Sequence, residues 1–250
     1  MMTTALLALL VRSDDLIETM PGELPIVITA PHGGTKPIPG AEERTGSSAK
    51  KFVTVLDTRT DDLARATAKE IEKLFGKKAW LIVAKFGRKY VDVNRSESDG
   101  AESDAAKAVY KEYHLAVRHA VDEVRSKFGK GILVDIHGQG ADKETVFRGT
   151  QNLKTVTGMT DDQLFGSKSF LGSLESQGIK VIPTMDKAHE NENPSFNGGY
   201  TVQTYGSNNK DGLTAIQLEF GGSYRTVKAI PDTAEKLARA LKSHYDVFLK

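Results

Sequence analysis

At 250 residues the chain can fold as one α/β domain with a sizeable core, and its 39% hydrophobic and 27% charged residues are those of an ordinary globular protein. Lys and Arg number 34 against 33 Asp and Glu, and a net charge of +1 gives no electrostatic reason to expect nucleic acid or an anionic membrane as partner. The absence of cysteine excludes disulfides, thiolate nucleophiles and cysteine-ligated zinc, and does not fix the compartment; the cytoplasm is favoured over secretion.

Residues 1–11 are apolar, about half the length a transmembrane helix needs, and lack the basic start of a signal peptide. They read as a first strand or helix in preference to a trimmed signal core, and no transmembrane segment is expected. A single α/β domain is expected over residues 12–250. It begins with a polar lead-in to residue 24, followed by a buried strand at Pro25–Ala30. Residues 33–51, rich in Gly, Pro, Thr, Ser and Lys, read as a loop over the cleft. Leu63, Thr67, Ile71 and Leu74 mark a helix that Gly76 stops. Ala79–Phe86 is a strand, and the acidic run 97–104 is expected to be exposed.

A long helix follows, carrying Val109, Tyr113, Val117, Val121 and Val124 on one face and ending at Gly129. Ile132–His137 is a second buried strand. Thr160 should cap one helix running to about Gln177, before strands at 179–182 and 215–220 and a terminal helix opened by Pro231. Strands alternating with helices predict one α/β domain, a mostly parallel mixed sheet with helices on both faces.

Two apolar runs each end in a histidine followed by glycine: Ala30-Pro31-His32-Gly33 and Asp135-Ile136-His137-Gly138. In such a sheet, ligands bind beyond the carboxyl ends of the strands, so the two histidines can meet despite their separation. Neutral imidazoles commonly bind zinc, and a catalytic zinc often takes two His and one carboxylate. Asp57 and Asp61 are the candidate third ligands. Asp135 shares the strand face of His137 and could orient it from behind or ligate. His114 and His119, about 140° apart on one helix, cannot chelate together and read as surface or core residues, as does His244; His189, in a polar loop open to a binding role, reads first as solvated.

Arg88, Asn94 and Arg95 follow a buried strand, where a guanidinium could bind a carboxylate in bidentate fashion. Glu219 ends an apolar strand, a costly place for a carboxylate that is not bound or functional, and facing a metal-bound water it would serve as general base. No G-x-x-x-x-G-K-[ST] phosphate loop occurs.

Five pieces of the chain, in order, resemble the N-formylglutamate amidohydrolases, a family related in fold and site to zinc carboxypeptidases and aspartoacylases. They are Pro31-His32-Gly33-Gly34, the stretch from Asp57 to Ala64, the stretch from Arg88 to Arg95, Asp135-Ile136-His137-Gly138 and Gln217-Leu218-Glu219. The resemblance implies a zinc-carboxypeptidase-like (phosphorylase/hydrolase-like) fold and one zinc ion per chain, held by His32, His137 and Asp57, with Asp61 as the runner-up. It implies Glu219 as general base and proton shuttle, and Arg88 as the group polarising the scissile carbonyl. Asn94 and Arg95 would grip the free carboxylate of a small-molecule substrate, with Tyr200 as a further contact. The implied reaction is hydrolysis of the amide of an N-acyl amino acid such as N-formylglutamate. Members of the family that degrade histidine often carry serine where this chain has Gly33 or Gly138, which leaves room for a related N-acyl amino acid or a peptide. The alternatives are a zinc carboxypeptidase or γ-glutamyl or cell-wall peptidase on the same scaffold, and a non-catalytic carboxylate-binding module.

Overall fold

The structure, a computed structural model, describes residues 13–47 and 52–250. The apolar segment 1–11 and the expected start of the domain at residue 12 lie outside the described residues, as do residues 48–51 of the loop. In chain order the elements are α1 (Ser13–Leu16), β1 (Ile17–Met20), β2 (Ile26–Ala30), α2 (Thr60–Phe75), β3 (Trp80–Ala84), α3 (Glu97–Gly100) and α4 (Asp104–Phe128). Then come β4 (Ile132–Gly138), β5 (Val146–Gly149), α5 (Asp161–Phe165), α6 (Phe170–Ser176), β6 (Val181–Ile182), α7 (Tyr200–Tyr205), β7 (Thr214–Phe220) and α8 (Ile230–His244).

The seven strands form one sheet in the order β1-β3-β2-β4-β7-β5-β6. Strands β3, β2, β4 and β7 run parallel, whereas β1 and β5 pair antiparallel with β3 and β7. The expected mostly parallel sheet is therefore observed. Alternation along the central strands sends side chains to two cores. Ile26, Ile28 and Ala30 pack with Leu63 and Ile71 of α2 and Leu237 and Leu241 of α8. Val27, Leu133 and Ala215 face Val117, Val121 and Val124 of α4 on the other side. The chain leaves β2 toward β3 through α2 on one face and returns to β4 through α4 on the other. That reversal leaves a crevice beyond the carboxyl ends of β2 and β4, where open α/β sheets bind ligands.

Several expectations are corrected. The polar lead-in contains β1, whose Ile17 pairs with Ala84, and its single buried apolar start leaves no alternation to read. The helix expected from Thr160 to Gln177 is broken in two. Thr160 does cap α5, in a capping box with Gln163. A Cβ at Gly166 would meet Asp162 Oδ1 at 2.2 Å, and Ser169 caps the new helix by accepting from Gly172 N at 2.9 Å. The strand expected at 179–182 shrinks to Val181–Ile182. The acidic run 97–104 is not wholly exposed: Gly100 and Ala101 are buried, and Asp92 N donates to Gly100 O at 2.9 Å. The described part of the loop, 33–47, lies along the end of β3, drawn there because Gly34 sits against the Lys85 backbone. The cleft itself is lined by the stretch that follows, Val53 and Val55 to Thr58. No helix among the described residues is long and apolar enough to cross a membrane.

Candidate active site

His32 and His137 leave the ends of β2 and β4 and meet across the crevice. Their Nδ1 atoms lie 3.2 Å apart. Asp57 Oδ2 completes the triangle, 3.2 Å from Nδ1 of His137 and 3.4 Å from Nδ1 of His32. A tetrahedral zinc with N and O ligands at about 2.0–2.1 Å separates any two of them by about 3.3–3.4 Å. Two imidazole nitrogens and a carboxylate oxygen, all buried and at those separations, fit a metal ion of that class.

The backbone fixes Asp57 in this place. Asp57 N donates to His32 O at 3.1 Å, and Gly138 N donates to Asp57 Oδ2 at 3.2 Å. The chain then turns through Arg59 in the left-handed region (φ 61°) and enters α2. Asp61, the runner-up, is one turn further on, paired with Arg65 at 2.7 Å and away from the histidines. Gly33 is required for this packing, because a Cβ there would lie 2.5 Å from Asp61 N. A Cβ at Gly138 would lie 2.5 Å from the Arg225 guanidinium carbon. A serine at either position would not fit here without a shift.

Behind each imidazole stands a second carboxylate. Nε2 of His32 donates to Asp92 Oδ1 at 2.8 Å and Nε2 of His137 to Asp135 Oδ2 at 2.9 Å, which turns both Nδ1 atoms toward the centre. Thr29 Oγ1 donates to Asp135 at 2.6 Å, and Arg88 Nε to Asp92 at 2.9 Å. Asp135 thus backs His137. Burial opposes charge on Asp57, Asp92 and His137, yet their neighbours prevail. Hydrogen bonds from His137 and His32 hold the Asp57 carboxyl below its usual range, and the charges of His32 and Arg88 do the same for Asp92. Asp135 and Asp57 raise the pKa of His137 well above that of an ordinary imidazole. The centre is arranged to hold positive charge.

Glu219 lies beside His137 in the β4/β7 register and opens into the same cleft. Burial, reinforced by Asp57 and Asp135 against His137 and Arg88, pushes its pKa up to about 7, within the range of a general base at neutral pH. Arg88, Asn94, Arg95 and Tyr200 also line the cleft. Arg88 reaches to 3.7 Å from Asp57 Oδ1. Arg95 donates from Nη1 to Asn94 O at 2.9 Å, while its buried Nε has no hydrogen-bond partner among the described residues. Asn94 is committed differently: its Oδ1 accepts from Thr201 N at 2.9 Å and its Nδ2 donates to Gln217 Oε1 at 3.2 Å. His114 and His244 are structural as expected, buried or half-buried in the helical layers, and His189 is exposed beside Asp161.

Sequence reasoning missed Asp92, Gln217 and Arg225. Arg225 donates to Phe220 O at 3.0 Å, Gln139 O at 3.2 Å and Thr58 O, so it clasps the chain ends that carry Glu219, His137 and Asp57. Nothing around Arg225 in sequence signals this. Asp92 and Gln217 sit inside recognisable pieces but show their roles only in contact.

Residues 101–224 match the family model described as N-formylglutamate amidohydrolase, a stretch that includes His137 and Glu219. The chain is similar in fold to the crystal structure of N-formylglutamate amidohydrolase from Ralstonia eutropha JMP134, with a TM-score of 0.60, 16% identity, and 92% of this chain and 97% of that one covered. A likeness of the same order, TM-score 0.58 at 14% identity over 94% and 96% of the two chains, relates it to gene product Atu2144 from Agrobacterium tumefaciens. No curated protein matches the sequence. It is the match over residues 101–224 that supports the resemblance of this chain to the N-formylglutamate amidohydrolase family and, with it, an amidohydrolase activity.

Proposed function

We propose that the chain is a zinc-dependent hydrolase of the amide bond of an N-acyl amino acid such as N-formylglutamate. The observation that carries the reading is the triangle of His32 Nδ1, His137 Nδ1 and Asp57 Oδ2, its sides 3.2, 3.2 and 3.4 Å, backed by Asp92 and Asp135. A zinc ion bound there would make water a nucleophile at neutral pH and polarise the scissile carbonyl.

The chain's own groups do the rest. Glu219 takes the proton of the attacking water as its oxygen bonds to the carbonyl carbon. Arg88, beside Asp57, donates to the carbonyl oxygen as negative charge gathers on it, and losing such a donor typically costs about 10²–10³-fold in rate. The C–N bond then breaks, and Glu219 returns the proton to the leaving nitrogen. Arg95, whose guanidinium lines the cleft, binds the substrate's free carboxylate, flanked by Tyr200.

A second reading, a larger N-acyl group or a peptide on the same site, is favoured by the size of the cleft. Its volume is about 790 Å³ and its mouth carries Val53, Val55 and Leu56, far more room than a formyl group requires. One experiment separates the readings: zinc content alongside hydrolysis of N-formyl-, N-acetyl- and longer N-acyl-L-glutamates and of dipeptides, for wild type and Glu219→Gln. The expected result is stoichiometric zinc in both proteins, with turnover lower by about 10²–10⁴-fold in the variant. Full turnover in Glu219→Gln removes Glu219 as the base. Protein that holds no zinc and hydrolyses none of the compounds supports the non-catalytic carboxylate-binding module instead.

A further inference from the structure

One wall of the cleft contains a line of buried polar groups whose direction can be decided. Side-chain amides do not reveal by shape which end is oxygen, but a backbone N–H can only donate. Thr201 N meets Asn94 Oδ1 at 2.9 Å, and Gly199 N meets Gln217 Oε1 at 2.8 Å. Both amide oxygens are therefore acceptors, and both NH2 groups must point onward. Asn94 Nδ2 donates to Gln217 Oε1 at 3.2 Å, and Gln217 Nε2 donates to Glu219 Oε1 at 2.8 Å. Turning the Gln217 amide over would set its oxygen against the carboxylate and its NH2 against the Gly199 N–H, losing both bonds. The close approach of the chain at residue 199 exists only because that residue is glycine: a Cβ there would lie 2.2 Å from Asn94 Nδ2.

We infer that Gln217 is a positioning residue for Glu219, holding Oε1 so that the proton is taken and returned at Oε2. The inference rests on the reading of Glu219 as proton carrier. Asn94 and the backbone at the start of α7 act through Gln217, setting its polarity. With Oε1 tethered, the carboxylate cannot rotate away from the cleft between the two proton transfers. The arrangement resembles the outer contacts that orient the two imidazoles, whose loss typically lowers activity by about 10–100-fold.

The test uses two substitutions in the full-length, zinc-loaded protein, assayed with N-formyl- and N-acetyl-L-glutamate. Gln217→Met keeps length and removes the donor. Gln217→Glu keeps the acceptor for Gly199 N and Asn94 Nδ2 and so protects the fold, but puts a second carboxyl against Glu219. Both are expected to lower kcat by about 10–100-fold, with KM within twofold and zinc content unchanged. Gln217→Glu is also expected to move the pH profile of kcat, which a merely space-filling role would leave in place. Wild-type kcat in either variant, or a loss confined to KM, overturns the inference. If Glu219→Gln is inactive while both Gln217 variants work normally, only this inference falls; if Glu219→Gln is active, the base assignment falls with it.

Discussion

Two clusters of charge are buried in this molecule, and they are built on opposite principles. In the first, Glu192 accepts from Arg148 Nε at 2.8 Å, Thr150 N at 2.8 Å, Asn152 N at 2.9 Å and Thr150 Oγ1. Arg148 also donates to Ala188 O at 2.9 Å, leaving Nη1 as its one unpaired nitrogen. Cation meets anion, and the carboxylate is surrounded by donors. In the second, two imidazole nitrogens and a carboxylate oxygen point at one another, with two more carboxylates behind. In the first cluster the anion already has its cation; the second asks for one. Burial of charge alone does not mark a functional site, whereas convergence of acceptors on one point does.

The first cluster has its own task. Residues Gln151, Asn152 and Leu153 all adopt left-handed backbone, φ 53°, 54° and 71°, a conformation that disfavours each residue with a Cβ. Glu192 pins that turn through Thr150 N and Asn152 N, and Gln151 N donates to Asn197 O at 2.6 Å, so the turn supports the cleft wall that runs past Asn197 to Gly199. Its role is structural support of the site from outside.

The comparison can be broken at either cluster. The largest effect is expected from His32→Ala, which should lose bound zinc and turnover together while the fold persists; a variant that retains zinc and turnover would show that the three groups do not act as one centre. Next, Glu192→Ala strands the Arg148 charge in the core and should cost about 3–5 kcal/mol in denaturant unfolding. Zinc per folded chain should stay at the wild-type level, and a loss below about 1 kcal/mol would show that the pair is not the support described.

The smallest effect sharpens the contrast between buried imidazoles. His137, ringed by carboxylates, is raised in pKa, whereas burial with help from Lys130 lowers that of His244 to about 4. Neither ring nitrogen of His244 has a hydrogen-bond partner among the described residues. An unfolded imidazole titrates near 6.5, so between the two values the unfolded chain binds more protons than the folded one. The stability His244 contributes is therefore present above pH 6.5 and is lost as pH falls toward 4. At about 1.36 kcal/mol per pH unit, His244→Phe should reduce the acid destabilisation over that span by on the order of 2–3 kcal/mol. Equal acid profiles for wild type and variant would contradict it.

Much of this was readable before any contact was known. Strands β2 and β4 are buried on both faces, and so open as apolar runs; the His-Gly endings that follow them announced the crevice. Helices α2 and α4 were legible from apolar spacing and from Gly76 and Gly129, both left-handed at the caps. By contrast β5, four residues containing a buried arginine, has no pattern that separates it from a loop, because its stability comes from β7 and from Glu192. Asn94 looked like a ligand for substrate carboxylate; its amide turned out to be committed to Thr201 and Gln217.

The amino-acid sequence by itself determined the α/β class, the strands that end in the cleft and the identity of His32, His137 and Glu219 as the residues to watch, because periodicity and chain-end chemistry are local properties. Only the tertiary structure brought Asp57, and not Asp61, to the two histidines, set Asp92 and Asp135 behind the imidazoles, clasped the site with Arg225 and turned the Gln217 amide toward Glu219. Those choices depend on distances between residues far apart in the chain, and these exist only once the sheet has brought the ends of its strands together.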